Sequence, residues 1–251
     1  MTSNDESRVA IITGGTTGLG AATTKVFAEN GYRVLATGLD DQDGFINRLK
    51  EEGLPVEFFS ADLTNSQVSA RAIVEFAISK FERLDVVVNS AARISYKDVG
   101  DVTEEDWDAI FAVNLKAPFF IAQAAYPYVK QTLGCIINIS STNAWVVNHN
   151  NQLYDTLKAA LNHLTKGLAR DFRESGVRVN ALMPGAMATP LIEEWLEIYL
   201  GRTVQSEDLL GPHVSTPELV ARGILALASE DMRWVNGAEI PIDGGFHLGN
   251  S

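Results

Sequence analysis

Short apolar runs rich in β-branched residues recur along the chain, at Val9 to Thr13, Arg33 to Thr37, Val56 to Ser60, Asp85 to Asn89, Cys135 to Ser140, Val177 to Leu182 and Ala238 to Ile242. Runs of this length and composition predict strands. Between them lie longer segments with helical periodicity, at Leu19 to Asn30, Asp43 to Glu52, Ser66 to Phe81, Glu104 to Val129, Tyr154 to Glu174 and Pro217 to Ala228. The alternation predicts an α/β fold: a seven-stranded parallel sheet with helices on both faces. Gly31 and Gly53 follow helical runs as C-caps do, and Thr64 and Thr216 precede them as N-caps do. No internal repeat, low-complexity tract or Pro/Ser linker divides the chain, so residues 1–251 read as one domain. The one interruption, residues 187–212, is too long for a simple connection and carries an amphipathic stretch around Leu191 to Leu200. It follows a strand's C-terminal end, where open α/β sheets bind ligands, and is a candidate lid.

Composition narrows the function more than the fold. The 251 residues are 46% hydrophobic and 21% charged, which excludes disorder, collagen and coiled coil. No stretch approaches the ~18 uninterrupted apolar residues of a membrane span. Met1 to Ser7 are polar and acidic where a signal peptide is basic and then apolar, so a soluble, cytoplasmic protein is expected. Cys135 is the only cysteine, which rules out an internal disulfide, a zinc ribbon and a redox pair. His149, His163, His213 and His247 are scattered without metal-ligand spacing, so no metal site is expected. The net charge of −12 repels phosphate backbones and anionic lipid, which leaves small molecules as the expected partners.

The first strand runs into Thr13-Gly14-Gly15-Thr16-Thr17-Gly18-Leu19-Gly20 and then into a helical pattern. A dinucleotide pyrophosphate needs backbone N–H groups at a helix N-terminus and no side chains in the way, which glycine at 14, 18 and 20 permits. The spacing is Gly-x-x-x-Gly-x-Gly, and Leu19-Gly20-Ala21 lacks the lysine of a P-loop. In Tyr154-Asp155-Thr156-Leu157-Lys158 the phenol and the ammonium are four apart and share a helix face. A lysine near a phenol stabilises phenolate, so the Tyr154 pKa is expected to fall from ~10 toward the working pH.

Together these residues resemble the short-chain dehydrogenase/reductase family over nearly the whole chain, which implies a single Rossmann-like doubly wound domain. Thr13 to Gly20 is similar to the family's cofactor turn, which implicates Gly14, Thr17, Gly18 and Leu19. Asp62-Leu63 resembles the site that holds the adenine, and the resemblance places Asn89 at the end of the fourth strand and Ala91 just after it among the cofactor contacts. Pro184-Gly185 with Thr189 looks like the segment against the nicotinamide carboxamide, and Asp243-Gly244-Gly245 closes the chain as the family does. Tyr154 and Lys158 match the active-site pair, Ser141 the substrate-orienting serine with Ser140 as the structural alternative, and Asn114 the catalytic asparagine. The resemblance implies hydride transfer between nicotinamide and a carbonyl or carbinol carbon. Tyr154 would pass the proton, Ser141 hold the substrate oxygen, Lys158 bond the ribose, and Asn114 fix a water leading to the lysine. It also implies a homotetramer or homodimer. Two departures stand out. Asn89-Ser90-Ala91-Ala92 replaces the usual Asn-Asn-Ala-Gly, and Asp155 sits where a small residue is usual, with a helical angle that turns it away from the lysine.

Cofactor form is read at the second strand's end, Thr37-Gly38-Leu39-Asp40-Asp41. No basic residue lies between Thr37 and Gly44, and Asp40 would repel a 2′-phosphate, so NAD is favoured over NADP. The polar stretch from Asn143 to Gln152 suggests a small hydroxylated substrate such as a sugar, polyol or hydroxy acid. Arg93, Asn143, Trp145, Gln152, Met187 and Trp195 are its candidate contacts. Two alternatives remain: a 3-oxoacyl-(acyl-carrier-protein) reductase using NADPH, and a dinucleotide-binding sensor without turnover.

Overall fold

The computed structural model describes residues 7–41, 43–201, 203, 205–211 and 214–249. His213, Pro212 at the end of the 187–212 stretch, most of the acidic N-terminal segment and the Trp195 side chain lie outside the described residues.

Seven strands form one parallel sheet in the order β3-β2-β1-β4-β5-β6-β9. They are β1 (Val9–Thr13), β2 (Arg33–Gly38), β3 (Val56–Ser60), β4 (Val86–Asn89), β5 (Cys135–Ile139), β6 (Arg178–Pro184) and β9 (Glu239–Ile242). A separate two-stranded ladder pairs β7 (Ala186–Met187) with β8 (Val214–Ser215). The helices are α1 (Gly18–Glu29), α2 (Phe45–Glu51), α3 (Ser66–Phe81), α4 (Glu104–Phe111), α5 (Ala117–Val129), α6 (Gln152–Phe172), α7 (Pro190–Leu200) and α8 (Pro217–Ala228).

Every residue of β1 and β5 is buried, as a strand covered on both faces requires. The two-residue period of a strand then divides each one between two cores. Ala10, Ile12, Val88 and Ile137 face the layer of α1 and α8, whereas Val9, Ile11, Val87 and Ile136 face that of α3 and α5. Strand order reverses at β1, so β2 and β4 diverge on either side of it and leave a crevice at their C-terminal ends.

Two local expectations are corrected and one is met. Thr64 is not a helix cap: Asp62 accepts from the Thr64 N–H at 2.9 Å to start a short 3₁₀ turn, and α3 begins at Ser66. Thr216 does cap α8, accepting from the Leu219 N–H at 3.3 Å. The periodic stretch 104–129 is two helices joined by a π turn at Ala112–Lys116, with Asn114 buried inside it. Residues 104–129 form the described helical run with the length and hydropathy of a membrane span. Here Ala117, Ile121, Ala122, Ala125 and Val129 are fully buried in the core shared with α3.

Candidate active site

The Thr13–Gly20 turn leaves the end of β1 along a path that side chains would block. A Cβ on Gly14, whose φ is +64°, would sit 2.9 Å from Ala91 Cα, and one on Gly20 would sit 1.8 Å from the Gly14 carbonyl oxygen. Thr13 Oγ1 ties this turn to the next strand's exit by accepting from the Ser90 and Ala91 N–H groups, both at 3.1 Å. Thr17 precedes α1 in extended conformation and makes no side-chain cap, so the first-turn N–H groups of α1 are not closed off by it. Above the turn runs a groove of about 550 Å³ lined by Gly14, Thr17, Gly18, Asp40, Asp62, Leu63, Ala91 and Thr189 among others. Volume, glycine cradle and open helix start fit a dinucleotide.

A second cavity of about 280 Å³ adjoins the groove; Ser90, Ala92 and Leu191 line both. It holds Ser141, Tyr154 and Lys158, together with Leu19, Pro184, Gly185 and Met187. Its walls are largely apolar, from Ile94, Ile139, Ile192 and Phe246. α6 presents Tyr154 and Lys158 on one buried face, one turn apart. The Lys158 Nζ lies 5.2 Å from the centre of the Tyr154 ring and donates to the Ile139 carbonyl at 2.7 Å. Ser141 lines the cavity with the phenol and starts the short turn 142–144 by accepting from the Asn143 N–H at 3.1 Å. Ser140 is buried instead and donates to the Lys158 carbonyl at 3.1 Å, a purely internal bond.

Electrostatics in the protein alone run opposite to the expectation for the phenol. Burial pushes the Tyr154 phenol up to about 12; the Ser141 hydroxyl opposes this and the neighbouring Asp155 carboxylate adds to it. Burial also pulls the Lys158 ammonium down to about 7. A lysine whose own charge is disfavoured by burial does little to hold a phenolate.

Several candidates sit elsewhere than anticipated. Asn89 does not reach the groove: its Nδ2 donates to Asn138 Oδ1 at 2.8 Å, and Asn138 donates on to Thr165 Oγ1 at 2.8 Å, a buried tie from β4 through β5 to α6. The Asn114 side chain ties down the loop after β4, accepting from the Arg93 N–H at 3.0 Å and donating to the Arg93 carbonyl at 2.6 Å. Arg93 itself lines the groove, not the second cavity. Trp145 turns outward and donates to Glu239 Oε2 at 2.8 Å, while Gln152 donates to the Lys97 carbonyl at 3.3 Å; neither lines the cavity. Asn143 does line it, but its Nδ2 donates to Asp155 Oδ1 at 2.8 Å. Asp155 is turned from the lysine yet is buried, not solvated.

Phe246 escaped sequence reasoning, although the glycines at 244 and 245, with φ of +64° and +86°, mark the turn that brings it back. Asp243 sets that turn by accepting from the N–H groups of Gly245 at 3.0 Å and His247 at 2.8 Å.

A crevice at the reversal of strand order, floored by a glycine turn and opening on a buried phenol, defines the class: an α/β oxidoreductase with a dinucleotide-type groove. Comparison with known proteins agrees. A family model described as enoyl-(acyl carrier protein) reductase matches residues 14–247. A 3-oxoacyl-(acyl-carrier-protein) reductase of Thermotoga maritima is 37% identical over 245 residues, covering 96% of this chain and 98% of its own. A 2,5-dichloro-2,5-cyclohexadiene-1,4-diol dehydrogenase of Sphingobium indicum is 34% identical over 245 residues, covering 96% and 97%. A mutant short-chain dehydrogenase/reductase of Serratia marcescens superposes with a TM-score of 0.84 at 29% identity, covering 96% of this chain and 98% of that one. The chain belongs to the short-chain dehydrogenase/reductase family, whose members are oxidoreductases that use NAD(P).

Proposed function

We propose that the protein is an NAD-dependent dehydrogenase or ketoreductase acting on compact secondary alcohols and the matching ketones. The observation that carries this reading is the placement of Ser141 and Tyr154 in a small apolar cavity that opens directly onto the dinucleotide groove. NAD(H), when bound, supplies or accepts the hydride. The backbone of Gly14 to Gly20 and the start of α1 bind the pyrophosphate, and Asp62 and Leu63 bound the far end of the groove. Ser141 orients the substrate oxygen by hydrogen bonding. Tyr154 gives the proton to that oxygen in reduction and takes it in oxidation. Lys158 fixes the phenol's position and, when charged, favours its deprotonated form.

Asp40 supports NAD. It lines the groove beyond β2, and Asp62 and Glu194 are also acidic, while Arg93 on the other side of β1 is the one basic residue among those lining it. The substrate reading moves from a sugar-like ligand toward an alicyclic one, because the amides of Asn143 and Asn151 that would bind extra hydroxyls already serve Asp155. The Sphingobium relative's cyclic diol is in keeping with this. The Thermotoga relative keeps an acyl-carrier substrate as the second reading.

Titration with NADH and NADPH, followed by tryptophan quenching, tests the cofactor, with tighter NADH binding expected. A panel of cyclic secondary alcohols with NAD, followed by nicotinamide absorbance, tests the substrate class. Binding of neither nucleotide overturns the proposal, and turnover confined to acyl thioesters with NADPH establishes the second reading instead.

A further inference from the structure

Asp155 occupies a place beside the proposed proton donor where a buried carboxylate needs a reason. It is 4% exposed, and three groups converge on it. Asn143 Nδ2 donates to Oδ1 at 2.8 Å, Asn151 Nδ2 to Oδ1 at 2.9 Å, and the Asn148 N–H to Oδ2 at 2.8 Å. All three donors belong to the connection between β5 and α6, and all three residues line the substrate cavity. Asn151 gives its nitrogen to the carboxylate although its own buried Oδ1 then has no partner among the described residues, so the carboxylate decides the amide's orientation. The neighbouring Asn150 adopts φ of +56°, a left-handed conformation that asparagine tolerates better than most residues.

We propose that Asp155 is a positioning residue that holds residues 143–151 as one wall of the substrate cavity while setting the electrostatic environment of the adjoining Tyr154 phenol. This rests on the reading of the cavity as a substrate site. Asn143 and Asn151 act on the substrate only through the wall they form. The ionisable groups facing Tyr154 are Asp155 and Lys158 on its own helix and Tyr96 from the loop after β4, with Glu194 of α7 behind Tyr96. The turn 142–144 contributes the Ser141 hydroxyl. Among these, the Asp155 carboxylate opposes formation of phenolate.

The test uses Asp155→Asn, which keeps the shape but loses the charge and can no longer accept from all three donors, with Asp155→Ala as the second variant. Hydrogen–deuterium exchange is read first, because it needs no turnover. Amides in 143–151 are expected to exchange faster in both variants, with α3 and β5 unchanged. Exchange in 143–151 equal to wild type overturns the proposal whether or not the enzyme turns over. In the active enzyme, Asp155→Asn is expected to raise KM about threefold or more, as loss of one such hydrogen bond implies. It is also expected to move the pH limb of alcohol oxidation to lower pH, because the phenolate no longer faces a carboxylate. A variant that loses activity with an unmoved pH limb overturns the electrostatic part and leaves a structural residue. A wild type without nicotinamide-linked turnover, but with faster exchange in both variants, refutes the function while the wall stands.

Discussion

Gly14→Ala puts a close backbone approach at the floor of the groove to a quantitative test, and Gly53→Ala is its internal control. Both residues have positive φ, +64° and +80°, so alanine is strained by about 1–2 kcal/mol at either place. They differ in what the new methyl meets. At Gly53 nothing lies within 4 Å, whereas at Gly14 the methyl would be 2.9 Å from Ala91 Cα and 3.1 Å from its nitrogen. Both neighbours are main chain, so relief requires β1 and β4 to part at their C-terminal ends, an overpacking that typically adds about 1–3 kcal/mol. Gly53→Ala is therefore expected to destabilise by about 1–2 kcal/mol and Gly14→Ala by about 2–5 kcal/mol. At about 2–4 °C per kcal/mol for a chain of this size, the melting temperature falls by roughly 2–8 °C and 4–20 °C respectively. Calorimetry measures both. NADH titration separates them further: Gly53→Ala is expected to bind as wild type does, and Gly14→Ala about tenfold or more weakly, because the parted strand ends carry the groove. Equal melting shifts with unchanged NADH affinity in Gly14→Ala would refute the role assigned to the turn.

Tyr154→Phe is expected to leave NADH affinity within about twofold and to lower kcat by about 10²-fold or more, measured by parallel titration and steady-state assay. Lys158 carries a pH signature in stability. Its folded pKa of about 7 lies below its unfolded value, so between about pH 7 and 10 the unfolded chain binds the extra proton and stability contributed at this site rises with pH. Lys158→Met is expected to flatten that rise and to gain most, relative to wild type, near pH 7 and below; a melting-temperature series across pH checks it. Asp40→Arg is expected to move the NADH to NADPH affinity ratio at least tenfold toward NADPH, and an unchanged ratio would remove Asp40 from cofactor choice.

Much of the fold is legible in the sequence because the strands are sandwiched between two helical layers. A stretch such as Val9-Ala10-Ile11-Ile12 has no solvent face to encode, so its apolar continuity marks it directly. The π turn at Asn114 is invisible at this level: Ile110 of α4 packs with Leu153 and Leu157 while α5 packs in the core shared with α3, yet apolar residues run on through the turn without a break. The site divides in the same way. Tyr154 and Lys158 are four apart on one helix, and local geometry alone brings them together. Trp145 and Asn89 go elsewhere, and the Asn143 amide is taken up within the site, because of partners that sequence spacing does not announce: Glu239 lies 94 residues from Trp145, Asn138 49 from Asn89 and Asp155 12 from Asn143. A polar residue in a loop has several destinations, and the one taken depends on which donors and acceptors the finished fold leaves nearby. Asp155 shows the converse error, since an angle on a helical wheel points away from the lysine but does not say whether the direction leads to water.

The shared wall of Ser90, Ala92 and Leu191 has a kinetic consequence for the proposed reaction. The cavity's wall toward the groove is made only of these shared residues, so a ligand in the groove would complete the cavity on that side. Nucleotide lying in the groove supplies the missing surface, so the alcohol's affinity is created by the nucleotide that precedes it. In the proposed reaction cofactor is therefore expected to enter first and leave last, an order that product-inhibition kinetics checks.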